Sequence, residues 1–149
     1  MSSFSKILVP LDFSAHSERA VALAAELSGR YSAPLTLLHV YELVPYALPE
    51  GPALYAPPQP PLIPDFHPQL DQLCARALAA GAVEVRSVVR EGLAAAQISE
   101  LARDEHFDLI VMGTHGRKGL SHLFMGSVAE KVVRTAPCPV LTVRLADAA

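Results

Sequence analysis

The segment Gly113–Ser127 places three glycines and a serine at the spacing Gly-x2-Gly-x9-Gly-Ser. Glycines at Gly113 and Gly116 let a backbone approach a ligand closely and admit φ > 0. Gly126 and Ser127 stand where a helical pattern begins, and the unpaired N–H groups and positive dipole end of a helix N-terminus favour an anion. Phosphate fits such a loop. A purely structural reading stands beside it, because Ser127-x-x-Glu130 is also a capping box that would start the helix without any ligand. A serine hydroxyl can cap a helix and still donate its proton to a phosphate, so the two readings are compatible. Arg117 and Lys118 add positive charge that could reach phosphates, although surface loops carry such residues routinely. His39, His115 and His122 have no metal-site spacing and read as solvent-facing or packing residues. The loop is neither a Gly-x4-Gly-Lys-Ser/Thr P-loop nor a Gly-x-Gly-x-x-Gly dinucleotide fingerprint.

The elements that must position this loop follow from hydrophobic periodicity. Lys6–Leu11 is a nearly continuous apolar run, as in a strand buried on both faces of a parallel sheet. Apolar residues at Ala20, Leu23, Ala24, Leu27 and Tyr31 then follow helical spacing, with Ser14 as cap and Gly29 near the exit. A second buried run, Leu35–Tyr41, fits a crossover to a neighbouring parallel strand and brings Val40 near Asp12. Leu70, Leu73, Cys74, Ala77 and Leu78 give another helix ended by Gly81, and Val83–Val89 alternates as an edge strand would. Ala94, Ile98, Leu101 and Ala102 give a third helix, and Phe107–Met112 a buried strand leading into Gly113. Ala129, Val132, Val133 and Ala136 give a fourth helix, before a last strand at Pro139–Val143. Five strands alternating with four helices predict a three-layer α/β/α domain with a parallel sheet, whose ligands bind beyond the carboxyl ends of the strands. Residues 42–65 hold eight of the thirteen prolines and form an excursion that is neither regular helix nor central strand. A lid, a dimer contact and an insert without fixed structure are all open for it.

Composition excludes several classes. The chain has 149 residues, the size of one domain spanning 1–149, and its 51% apolar and 18% charged residues are those of a globular protein. A net charge of −3 and no basic stripe leave nothing to attract nucleic acid. No apolar run reaches the length of a membrane span, and the N-terminus does not read as a signal peptide. Cys74 and Cys138 lie far apart without metal spacing, which suggests a reducing compartment and a cytoplasmic location.

Four blocks of sequence, Ile7–Ser14, Leu37–Val40, Asp108–Gly116 and Gly126–Leu141, resemble the universal stress protein family. The resemblance covers the whole chain except the proline-rich excursion. It implies an adenine nucleotide alpha hydrolase-like fold, strand order 3-2-1-4-5, and a homodimer. The Gly-x2-Gly-x9-Gly-Ser spacing is similar to that of the family's ATP-binding branch. By the same resemblance Pro10, Leu11 and Asp12 line the nucleotide site, Val40 meets the adenine, and Met112 and Gly113 lie by the ribose and phosphates. Gly116, Gly126, Ser127 and Val128 surround the triphosphate, with Arg117 a further contact. A carboxylate beside phosphates is repulsive unless a cation intervenes, so Asp12 implies nucleotide-bound Mg2+ or Mn2+; its alternative role is a cap on the first helix. The implied function is an ATP-dependent regulatory module in the stress response with little or no hydrolysis, since no complete catalytic constellation is visible. The alternatives are a slow ATPase or adenylyl-transfer enzyme using Asp12 and a metal, and a dimeric interaction protein that needs no nucleotide. The apolar edge of the last strand predicts pairing with the same strand of a second subunit.

Overall fold

The computed structural model describes residues 3–43, 63–115 and 125–145. In chain order the elements are β1 (Ile7–Leu11), α1 (Ala15–Tyr31), β2 (Leu35–Tyr41), α2 (His67–Ala79), β3 (Val85–Glu91), α3 (Ala94–Asp104), β4 (Leu109–Gly113), α4 (Ser127–Thr135) and β5 (Val140–Val143). All strand pairs are parallel, and the sheet order is β3-β2-β1-β4-β5. The expected order is therefore observed. The proline-rich excursion falls almost wholly outside the described residues.

The two-residue period of the strands sorts the core into two halves. Ile7, Val9 and Leu11 of β1, Leu35 and Leu37 of β2, and Leu109 and Val111 of β4 face α1 and α2, where they pack on Ala20, Val21, Ala24, Leu70 and Leu73. Leu8, Leu38, Ile110 and Met112 point the other way, onto Ile98, Leu101 and Ala102 of α3 and Ala129 and Val132 of α4. Helices on both faces explain why β1 and β4 read as continuous apolar runs.

Local chemistry fixes the element ends. The Ser14 hydroxyl accepts a hydrogen bond from the Ser17 N–H and starts α1. That helix runs past Gly29 and closes on Ser32, which takes the left-handed conformation at φ 55°. Gly29 is required for another reason: a Cβ there would stand 2.7 Å from the Gly81 carbonyl oxygen, so the glycine lets α1 touch the turn after α2. Before β4, the Asp108 carboxylate accepts hydrogen bonds from the Ser5 N–H, the Ser5 hydroxyl and the Lys6 N–H, pinning the start of β1 against β4. Burial pushes the Asp108 pKa up, but these bonds more than offset it and hold the carboxyl below the usual carboxylate value. Among the described residues no helix is long and apolar enough to cross a membrane.

Candidate functional site

The site lies where the topology reverses direction. The chain leaving β1 turns into α1 on one face of the sheet, whereas the chain leaving β4 leads to α4 on the other, so the two neighbouring strands part at their carboxyl ends. The β1–β4 register consists of Ile7↔Leu109 and Leu8↔Ile110, and beyond it Pro10 has no N–H to give. A cavity of about 380 Å³ opens there, within the size range of small-ligand sites. It is lined by Pro10, Leu11 and Asp12 from the end of β1 and the turn after it, Met112 and Gly113 from the end of β4, Leu38 and Val40 of β2, Ala94 and Ile98 of α3, and Gly126, Ser127, Val128 and Ala129 at the start of α4. Ser17, Thr114 and His115 complete the lining.

The polar end of the cavity is the start of α4. Gly126 is the N-cap, at φ −60° and ψ 155°, and among the described residues no side-chain cap bonds the first turn. The Gly126 N–H donates to the Thr114 carbonyl at 2.6 Å, closing the base of the loop, and the first intrahelical donor is the Glu130 N–H. The N–H groups of Ser127, Val128 and Ala129 thus have no intrahelical acceptor, and all three residues line the cavity. The capping box is not formed. Ser127 is the first helical residue, one place too late to cap, and Glu130 turns along the helix to pair with Arg134.

The second polar element is the turn from β1 to α1. Asp12 accepts a hydrogen bond on Oδ1 from the Ser14 N–H at 3.0 Å, and its own N–H faces the Ser17 hydroxyl at 3.4 Å. The cap of α1 is Ser14, so Asp12 shapes the turn and does not cap the helix. Among the described residues no group of three His, Cys, Asp or Glu side chains forms a metal site by itself. One carboxylate nevertheless suits an ion that arrives with phosphates, the usual manner of Mg2+.

Gly113 proves to serve packing. Among the described residues the glycines at positive φ are Gly81 and Gly92, and Gly113 is not one of them. A Cβ on Gly113 would lie 2.8 Å from the His16 Cβ and 2.9 Å from the His16 carbonyl carbon, so the glycine admits the first turn of α1 against β4. Beside this contact the His16 and His115 rings approach to 5.3 Å between centroids. The Thr114 hydroxyl lies 3.4 Å from the Val143 carbonyl oxygen, to which it donates, and is hydrogen-bonded to His115 Nδ1 at 3.0 Å. His115 Nε2 and His16 Nδ1 are buried with no hydrogen-bond partner among the described residues. Burial, and secondarily the neighbouring His115, hold the His16 pKa below 6.5 against the attraction of Asp12. His115 is a packing residue, as one of the two sequence readings had it.

Of the residues singled out in the sequence, Pro10, Leu11, Asp12, Val40, Met112, Gly113, Gly126, Ser127 and Val128 are brought around one cavity. Gly116, Arg117, Lys118 and His122 lie outside the described residues. Leu38, Ala94, Ile98 and Ala129 were missed, although Leu38 shares a strand face with Val40 and Ala94 and Ile98 are one helical turn apart. Thr114 and Ser17 were missed too, and no local pattern marks them. His39 packs elsewhere, donating Nδ1–H to the Leu11 carbonyl at 3.0 Å.

Residues 3–144 match the profile of the universal stress protein family. A universal stress protein of Thermus aquaticus, encoded in the QAH/OAS sulfhydrylase 3′ region, is 38% identical over 95% of this chain and 99% of its own. The crystal structure of a universal stress protein in complex with cAMP superposes with a TM-score of 0.72 at 26% identity, over 95% of this chain and 98% of that one. A universal stress protein from Archaeoglobus fulgidus in complex with dAMP has the same fold, with a TM-score of 0.66 at 20% identity over 96% and 99% of the two chains. The architecture is accordingly the adenine nucleotide alpha hydrolase-like fold, and the chain belongs to the universal stress protein family.

Proposed function

We propose that this protein binds an adenine nucleotide, ATP first among them, in the cavity between β1 and β4, and acts as a nucleotide-dependent regulatory module of the stress response. The observation that carries the reading is the start of α4: the three N–H donors of Ser127, Val128 and Ala129 line one end of an otherwise largely apolar cavity. Helix N-termini of this kind favour phosphate. The lining residues Leu38, Val40, Ala94 and Ile98 offer a base an apolar seat, with the ribose beside Met112 and Gly113. Asp12 would hold a nucleotide-bound Mg2+ or Mn2+, which supplies positive charge to the phosphates. Gly116 and Arg117 carry the rest of the glycine spacing and are assigned to the triphosphate on sequence grounds. Bound cAMP and dAMP in structural neighbours support an adenine ligand.

In this reading residues 1–149 act as one cytoplasmic domain with little or no hydrolysis, and a homodimer forms through β5. Among the described residues that strand has β4 on one side only, and it exposes Leu141. A sheet edge of this kind is a template for a second copy.

Gly126→Asp tests the assignment, because aspartate is a favoured N-cap at this backbone conformation yet places a carboxylate where the phosphates must sit. Calorimetry on nucleotide-free protein should give one ATP per chain in the wild type and at least about tenfold weaker binding, about 1.4 kcal/mol, in the variant. The melting temperature should be equal or higher. Undiminished binding in Gly126→Asp, or no binding by the wild type, contradicts the proposal.

A further inference from the structure

The turn that carries Asp12 contains a conformational anomaly. Phe13, the next residue, sits at φ 63°, a left-handed conformation that bulky residues rarely adopt. Such a residue persists only where its surroundings over-determine it. Here they consist of rings. Phe13 lies 4.6 Å from the His39 ring and stacks on Phe66 at 6.2 Å with an interplanar angle of 14°. His39 and Phe66 are themselves 4.3 Å apart, and Tyr41 closes the cluster 5.7 Å from Phe66. The cluster is locked to β1 because His39 Nδ1–H donates to the Leu11 carbonyl, one residue before Asp12.

The left-handed residue reverses the chain between Asp12 and the cap of α1, and that reversal lets the Asp12 carboxylate accept the Ser14 N–H. Phe66 reaches the turn from the start of α2, far away in sequence, and is not among the residues that line the cavity. We propose that Phe66 and His39 are positioning residues: by clamping Phe13 they hold the turn that presents Asp12 to a phosphate-bound divalent cation. The inference rests on the nucleotide and cation reading above and assigns it a mechanical support. Removing Phe66 takes away the stacked face of Phe13, and the backbone then relaxes towards the ordinary negative-φ conformations, carrying the Asp12 carboxylate with it.

The test measures ATP affinity with Mg2+ and with a chelator, together with adenosine affinity, in the wild type, Asp12→Asn, Phe66→Ala, Phe66→Tyr and the Asp12→Asn/Phe66→Ala double variant. Residues that orient an ion's ligand typically matter by 10–100-fold, so Phe66→Ala should lower the Mg2+-dependent gain in ATP affinity about tenfold. Adenosine affinity should not change, Phe66→Tyr should retain the gain, and the double variant should lose no more of it than Asp12→Asn alone. A parallel fall in adenosine affinity, or additive losses in the double variant, would make Phe66 merely structural and overturn the proposal. A wild type that gains from Mg2+ and a Phe66→Ala that gains equally refutes the positioning role alone. A wild type that binds no ATP, or gains nothing from Mg2+, refutes the reading on which it rests as well.

Discussion

Substituting Gly113 by alanine separates two accounts of one glycine, because they predict opposite signs. Were the position a plain strand residue at ordinary φ, alanine would stabilise the protein by roughly 0.4–1 kcal/mol through a less flexible unfolded chain. The structure predicts the reverse. The new Cβ would stand 2.8, 2.9 and 3.1 Å from the Cβ, carbonyl carbon and carbonyl oxygen of His16, and two of those atoms are backbone that no rotamer change can move. Overpacking of this kind costs about 1–3 kcal/mol. At about 2–4 °C per kcal/mol for a domain of this size, the melting temperature should fall by about 2–12 °C. Urea unfolding followed by circular dichroism provides the free energy directly, with an unchanged slope showing that the unfolded state is the same. His16→Gly in the Gly113→Ala background removes one of the three contacts and should recover part of the loss, measured against His16→Gly alone. His16→Ala keeps its Cβ and should recover none. A Gly113→Ala protein as stable as the wild type, or more so, would refute the packing argument.

Two further outcomes concern titrating groups. The His16 pKa lies below 6.5 in the folded protein, so the unfolded chain binds more protons at acid pH. Its contribution to stability is fully present above 6.5 and is lost as the pH falls from there towards the lowered value. Urea midpoints between neutral and mildly acid pH should accordingly fall less in His16→Gln than in the wild type, and parallel curves would contradict the burial argument. Asp108→Ala leaves the Ser5 and Lys6 N–H groups without their acceptor and should cost about 1.5–3 kcal/mol by urea unfolding at neutral pH. Because the Asp108 pKa is lowered in the folded state, its contribution stands above pH 3.8 and is lost as the pH falls through the lowered value, so the wild-type and variant curves should converge in acid.

Much of this architecture was legible because the strands are buried on both faces, which writes runs such as Ile7–Leu11 and Leu109–Met112 plainly into the sequence. The order of the strands was carried by family resemblance, since periodicity does not encode it. The edge position of β3 followed from its alternation, but its bounds were two residues early: Val83 belongs to the preceding turn, where its N–H donates to the Ser28 hydroxyl, and Glu91 still pairs with Tyr41. Gly29 near the helix exit and Gly113 at the cavity each meet a packing requirement as well, which the sequence does not mark because the backbone that demands it arrives from far along the chain. Ser127 looked like a cap because Ser-x-x-Glu is a cap signature; which residue caps depends on where the chain enters the helix, and it enters at Gly126. The positive φ of Phe13 had no sequence signal, and the rings packed on it come from β2 and the start of α2, far along the chain.

The central claim is that an adenine nucleotide occupies the cavity between β1 and β4. Methyl-labelled protein titrated with Mg-ATP and followed by NMR tests it most directly. The account predicts saturable shifts of the Leu38, Val40, Ile98 and Val128 methyls, which line the cavity, with Val21, Leu70 and Leu73 on the other face of the sheet unmoved. Spectra that do not change, or shifts confined to that other face, would contradict it.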